Sequence, residues 1–148
     1  MSKLILFVCT GNTCRSPMAE YYFNYKARGH KAVSRGLQAE NNNLMASNAR
    51  QILLDTNIIS SFSDILHKPA QIDTKIMREA DFIYGLTENH AAVLRANYPE
   101  YAEKIFAMPE NIGDPYGANL EIYAACFEKI KIAVDSIIER LEQQKCAE

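Results

Sequence analysis

The stretch Leu4-Ile5-Leu6-Phe7-Val8-Cys9-Thr10-Gly11-Asn12-Thr13-Cys14-Arg15-Ser16-Pro17 changes character twice. Residues 3–8 are short, branched and apolar with no polar alternation, as expected of a strand buried on both faces. Gly11-Asn12-Thr13 breaks the run as a turn. Ser16 and Pro17 then suit a helix start, a capping hydroxyl followed by proline at the first helical position. That helix is expected to run through Met18, Ala19, Tyr22 and Phe23 to about residue 28, ending near Gly29.

Outward from this segment the chain repeats the same alternation. A weak strand is expected over 32–34. A helix over 44–54 would gather Met45, Ala49, Ile52 and Leu53 on one side. Another helix is expected over 72–80, a third strand over 81–86, a helix over 88–97 and a fourth strand over 104–108. The last helix carries the clearest pattern: Leu120, Tyr123, Phe127, Ile130, Val134, Ile137 and Leu141 alternate by three and four residues, as one buried face does. The run lasts only about three heptads, so packing against a sheet is favoured over a coiled coil. Strands alternating with helices imply a parallel sheet with right-handed crossovers and helices on both faces. Ligands in such sheets bind beyond the carboxyl ends of the strands, which directs attention to residues 9–17.

In that loop a cysteine is followed six positions later by an arginine. Successive backbone N–H groups can form a concave nest for an anion, and the helix start adds unsatisfied donors and the positive end of a dipole. Arg15 offers a planar fork for two phosphate oxygens. Gly11 allows a tight turn or a positive φ. A free thiol near pKa 8.5 drops to roughly 3.5–7.5 at helix N-termini and beside cations. Cys9 is therefore a candidate nucleophile without a partnering histidine, placed for in-line attack on a bound phosphate. The loop is neither a Walker A sequence, lacking the second glycine and the Lys-Ser/Thr ending, nor a GxGxxG fingerprint. Cys9 could equally be a small hydrophobe at a strand end; the glycine, the asparagine, the Ser-Pro pair and the strand–loop–helix setting favour chemistry.

The rest of the composition excludes more than it proposes. The 148 residues suit one domain over 1–148 and are 48% hydrophobic and 23% charged, with net charge −2. With no basic excess, no nucleic-acid or membrane partner is expected. No segment reaches the roughly 20 apolar residues of a membrane span, and the first strand is too short for a signal peptide; a cytoplasmic protein is expected. Four cysteines in a reducing compartment suggest packing, catalysis or redox sensing rather than a disulfide framework. No paired CxxC and no His pair at ligand spacing occurs, so no metal and no cofactor is expected. Cys126 is expected in the core, Cys146 near the surface, and His30, His67 and His90 in surface or satisfied-core positions. Tyr21-Tyr22 reads as a half-buried helix face.

The run Val8-Cys9-Thr10-Gly11-Asn12-Thr13-Cys14-Arg15-Ser16-Pro17-Met18-Ala19-Glu20 resembles the signature of low-molecular-weight protein tyrosine phosphatases, and Asp114-Pro115-Tyr116-Gly117 resembles the loop carrying that family's general acid. The resemblance implies a cysteine-dependent, metal-independent protein phosphatase using a phosphocysteine intermediate. Cys9 would be the nucleophile, Arg15 the phosphate clamp, and Asp114 the acid that protonates the leaving group and then activates water. The substrate- and phosphate-binding set would be Thr10, Gly11, Asn12, Thr13, Cys14 and Ser16, with Tyr116 as an aromatic wall. Within it Asn12 would brace the loop, Ser16 would donate to the thiolate, and Cys14 could trap oxidised Cys9 as a disulfide. The expected architecture is a three-layer α/β/α fold with a four-stranded parallel sheet in flavodoxin-like order 2-1-3-4, its phosphate-binding loop after the first strand. A phosphorylated protein is the expected partner, and a monomer the expected state.

Substrate choice stays open between phosphotyrosine and phosphoarginine. Tyrosine-directed members usually resemble this motif with a bulkier aliphatic residue at position 13 and two aromatic walls. Thr13 and the single Tyr116 lean toward a bacterial arginine-directed branch. Arg35, in place of the usual alanine, and the loop 38–43 are expected to reshape the pocket wall. Two alternatives remain. A thiol-linked arsenate reductase would need cysteines between Cys14 and Cys126, and there are none. A non-catalytic phosphate-binding or redox-sensing module could dispense with Asp114.

Overall fold

Strand β1 (Leu4–Cys9) lies inside a four-stranded sheet and is covered from both sides. In the computed structural model, which describes residues 2–40 and 42–147, it pairs in parallel with β2 (Lys31–Gly36) and with β3 (Phe82–Gly85). β3 pairs in parallel with β4 (Ile105–Ala107), giving the order β2-β1-β3-β4 that the sequence led us to expect. Because successive side chains of a strand point to opposite faces, Ile5, Phe7 and Cys9 enter one core and Leu6 and Val8 the other. The first core is closed by α1 (Arg15–Lys26), α2 (Ser47–Asp55) and α5 (Leu120–Ala147). The second is closed by α3 (Thr74–Glu79) and α4 (Glu88–Asn97). Burial on both faces explains the unbroken apolar run of β1.

Several element boundaries depart from expectation for identifiable reasons. Helix α1 begins at Arg15, one residue before Ser16, and no side chain caps it. The Ser16 hydroxyl is turned inward instead, and Pro17, lacking an N–H, is harmless in the first turn. Helix α2 starts at Ser47, not 44. Ala46 is extended, and its N–H donates to the Thr13 carbonyl at 2.8 Å, so Met45 reaches the core from a loop and Leu44 is 69% exposed. Leu120 opens α5 but is 38% exposed, whereas Tyr123 to Leu141 form the expected buried face. Asp73 caps α3, its side chain accepting from the Ile76 N–H, which shortens that helix to begin at Thr74. Short 3₁₀ turns at Phe62–Asp64 and Pro99–Lys104 had no distinct signal. Cys126 is buried as expected, and the side chain of Cys146 lies outside the described residues.

All four strands run the same way, so their carboxyl ends share one edge, where the loop after β1 meets the ends of β2 and β3. The approach is close. A β-carbon at Gly36 would lie 2.7 Å from the Thr10 carbonyl oxygen, and one at Gly85 would lie 2.6 Å from the Ala91 nitrogen. Only glycine fits where these backbones meet. Among the described residues, no helix is long and apolar enough to cross a membrane.

Candidate functional site

The loop between β1 and α1 is shaped around Asn12. Its φ is +59°, while Gly11, the residue expected to supply a positive φ, keeps a negative one. Asparagine tolerates the left-handed region better than most residues, at a cost of about 1–2 kcal/mol. Four hydrogen bonds offset this, each contributing roughly 0.5–1.5 kcal/mol. Asn12 Nδ2 donates to Ser16 Oγ at 2.8 Å and to Ser34 Oγ at 2.9 Å. Its Oδ1 accepts from the Ala70 N–H at 3.0 Å, and its carbonyl oxygen lies 2.8 Å from His67 Nε2. His67 is held in turn, since Tyr21 Oη accepts from the N–H groups of Leu66 and His67. Ser34 passes its own proton to Glu20 Oε1 at 2.7 Å. Burial pushes the Glu20 carboxyl up from its ordinary value, against the Ser34 hydrogen bond and the charges of His67 and Arg35.

Cys9, only 2% exposed, has its Sγ 2.9 Å from Ser16 Oγ. Ser16 Oγ also accepts from Asn12 Nδ2, so its own proton remains available to the sulfur. The first turn of α1 has no side-chain cap, so its N–H groups remain available to an anion.

Arg15 stands beside the thiol with 5% of its surface exposed. Its Nη1 donates to the Ile112 carbonyl at 3.1 Å, and its Nη2 is 3.6 Å from Asp114 Oδ2. The buried Nε finds no acceptor among the described residues. The Asp114 side chain is 53% exposed, so solvent screens this ion pair and it contributes little. Asp114 Oδ1 accepts from the Tyr116 N–H at 3.1 Å and from Cys14 Sγ at 3.8 Å. Burial, then the charges of Cys9 and Asp114, push the Cys14 thiol up to about 12, so it stays protonated at neutral pH.

On the opposite side, Thr10 Oγ1 lies 3.0 Å from His90 Nε2, and His90 Nδ1 lies 3.0 Å from Thr87 Oγ1. Thr87 caps α4 by accepting from the His90 N–H. Burial, then the nearby Arg15 charge, lower the imidazole to about 4, so it is neutral at pH 7. A neutral ring has one donor and one acceptor, and the two threonines use both.

These groups surround a cavity of about 230 Å³. Cys9, Thr10, Gly11, Thr13, Cys14 and Arg15 supply its base, Asp114 and Tyr116 one rim, and Gln38, Glu40 and Asn43 the other. Nearly every residue expected in the site is brought together there. Asn12 and Ser16 are the exceptions: both are fully buried beneath the loop, and their side chains hold it instead of facing the cavity. Arg35 also departs from expectation. It sits on β2 beside Val8, folds back onto the Ser34 carbonyl at 2.8 Å and does not line the cavity, whereas the following loop does. The sequence reading treated His67 and His90 as isolated. Their attachment to the loop escaped it, although Thr87 capping the helix that bears His90 was a usable signal.

The description "low molecular weight phosphotyrosine protein phosphatase" matches residues 4–147. A protein-arginine-phosphatase from Geobacillus stearothermophilus is 28% identical, the alignment covering 98% of this chain and all of that one. The low molecular weight protein-tyrosine-phosphatase PtpB of Staphylococcus aureus is 33% identical over 85% of this chain and 90% of its own. Among solved structures, the arginine phosphatase of Geobacillus stearothermophilus superposes with a TM-score of 0.89 at 27% identity, covering 98% of this chain and 96% of that one. A low molecular weight protein tyrosine phosphatase from T. tengcongensis gives 0.86 at 35% identity, covering 93% and 99%. Sheet order, loop position and sequence match agree across almost the whole length, and the chain belongs to the low molecular weight phosphotyrosine protein phosphatase family.

Proposed function

We propose that residues 1–148 form one metal-independent protein phosphatase domain in which Cys9 attacks the phosphoryl group. The observation that carries this reading is the Cys9 sulfur, 2.9 Å from the Ser16 hydroxyl, at the base of a cavity flanked by the Arg15 guanidinium. The anion sits in the nest of backbone N–H groups supplied by residues 10–15, with Arg15 spanning two of its oxygens. The Cys9 sulfur forms a bond to phosphorus as the bond to the leaving oxygen or nitrogen breaks, and Asp114 delivers its proton to that atom. Water then attacks the phosphocysteine, its proton passing to Asp114, and the sulfur leaves as a thiolate with inorganic phosphate released. Positive charge from the loop and Arg15 stabilises the transferring group.

The substrate we favour is phosphoarginine in a protein. Support comes from Thr13, which is small, polar and part of the cavity wall, and from two relatives named as protein-arginine-phosphatases, from Geobacillus stearothermophilus and Bacillus subtilis. Phosphotyrosine is the second reading, favoured by the Staphylococcus aureus relative. The decisive experiment is turnover of aryl phosphate and phosphoarginine protein in the presence of a metal chelator. Activity is expected for the native chain and its loss for Cys9→Ser; unchanged hydrolysis by Cys9→Ser would overturn the proposal.

A further inference from the structure

A second hollow of about 520 Å³ opens beside the first, and Thr10 and Gln38 belong to the walls of both. From that shared edge it follows α4. Asn89, Val93 and Asn97 each come four residues apart, so they lie on one face of the helix. Eight residues of helix rise about 12 Å, which an extended chain covers in about three or four residues. Tyr98 closes the far end.

The chemistry of this trough is uniform. No Asp, Glu, Lys or Arg lines it among the described residues. Its amide side chains carry both a donor and acceptors, the same pair of groups a peptide backbone presents. One of them is fixed in place: Gln71 donates through Nε2 to the Leu37 carbonyl at 2.7 Å and accepts at Oε1 from the Ala39 N–H at 2.8 Å. The wall formed by 37–39 is thereby stiffened beside the cavity.

We infer that this trough seats the substrate's own chain next to the phosphorylated residue, as an extended uncharged segment of about three or four residues. The inference rests on the phosphatase reading above and adds to it where the rest of the substrate lies. The continuity of the two hollows through Thr10 and Gln38 argues for one bound chain across both, and the absence of lining charge argues against selection by an acidic or basic partner.

The test compares two substrates on full-length protein. Para-nitrophenyl phosphate fills only the first cavity, whereas a phosphopeptide with four uncharged residues on each side spans both. Val93→Lys and Asn97→Lys place a cation in the trough at partly or fully exposed positions. For each, kcat/KM on the phosphopeptide is expected to fall roughly tenfold, mainly through KM, with para-nitrophenyl phosphate unchanged within about twofold. A peptide carrying glutamate at the flanking positions should recover most of the loss for the lysine variants. Equal effects on both substrates, or none on the peptide, would overturn the inference. If the native chain fails to turn over para-nitrophenyl phosphate at all, the phosphatase reading is what fails.

Discussion

The Ser16 hydroxyl stands between two partners, 2.8 Å from Asn12 Nδ2 and 2.9 Å from Cys9 Sγ, and the amide can only donate to it. Its proton is not used on Asn12 and is available to a Cys9 thiolate, which can only accept. Replacing Ser16 with alanine removes the hydroxyl from the sulfur and leaves Asn12 its other three hydrogen bonds. We expect Ser16→Ala to lower kcat roughly 10- to 100-fold with little change in KM, and to slow alkylation of Cys9 at neutral pH. A KM effect without loss of kcat would refute the assignment.

Asp114 lies at the rim, and more than half of its side chain is exposed. If it is the proton donor proposed above, it matters most when the leaving group is poor. Asp114→Asn is expected to reduce turnover by roughly 10²- to 10⁴-fold on a phosphoprotein. The loss should shrink on activated aryl phosphates, whose leaving groups need no proton. A series of aryl phosphates of graded leaving-group pKa reads this directly, as a steeper dependence in the variant.

Thr13 contributes to the cavity wall with only 7% of its surface exposed. A bulkier aliphatic side chain there removes the hydroxyl and narrows the base. Thr13→Ile should shift the ratio of phosphoarginine to aryl phosphate kcat/KM toward aryl phosphate by roughly tenfold. An unaltered ratio would count against arginine specificity.

His90 should record its burial in the pH dependence of stability. Its native value of about 4 lies below the ordinary 6.5. Between those limits the unfolded chain binds a proton that the folded chain refuses, so stability falls as pH drops from 6.5 and levels off below about 4. The full effect is roughly 3 kcal/mol. Urea unfolding at pH 7.5, 5.5 and 4.5 should show a smaller acid loss in His90→Gln than in the native chain. Parallel curves would contradict the burial argument.

Arg15 Nε is a buried donor with no acceptor among the described residues, a costly arrangement that a bound oxyanion can relieve. Inorganic phosphate at about a hundredfold excess over its Kd should stabilise the fold by about 2.7 kcal/mol, raising Tm by about 5–10 °C. Arg15→Ala should abolish most of that shift. A phosphate response of native size in the variant would show that the guanidinium is not the clamp.

Much of the architecture was legible because β1 is one unbroken apolar run and α5 keeps a single helical period. Ile5 to Val8 read as doubly buried because they are, and Tyr123 to Leu141 kept their face throughout. Where tertiary bonds override local preference, the reading failed. Ser16 has the chemistry of a cap, yet its hydroxyl is turned to Cys9. Gly11 has the freedom for a left-handed turn, yet Asn12 takes it because four partners hold it there. Met45 looked helical and is buried from a loop pinned to the Thr13 carbonyl. Cys9 and Arg15 stood out in one contiguous motif, and Asp114 in a second short segment about a hundred residues on. His67 and Ser34 were missed because their link to Asn12 crosses 55 and 22 residues of sequence with no local pattern to mark it.

The layer beneath the pocket and the residues at its rim differ in burial. Asn12 and Ser16 are wholly enclosed and mutually bonded, whereas Tyr116 is 70% exposed and Glu40 projects from a loop. Substitutions at Tyr116 or Glu40 can therefore accumulate while the loop that carries Cys9 keeps its shape. Such an enzyme can exchange one client protein for another over evolutionary time while its reaction stays the same.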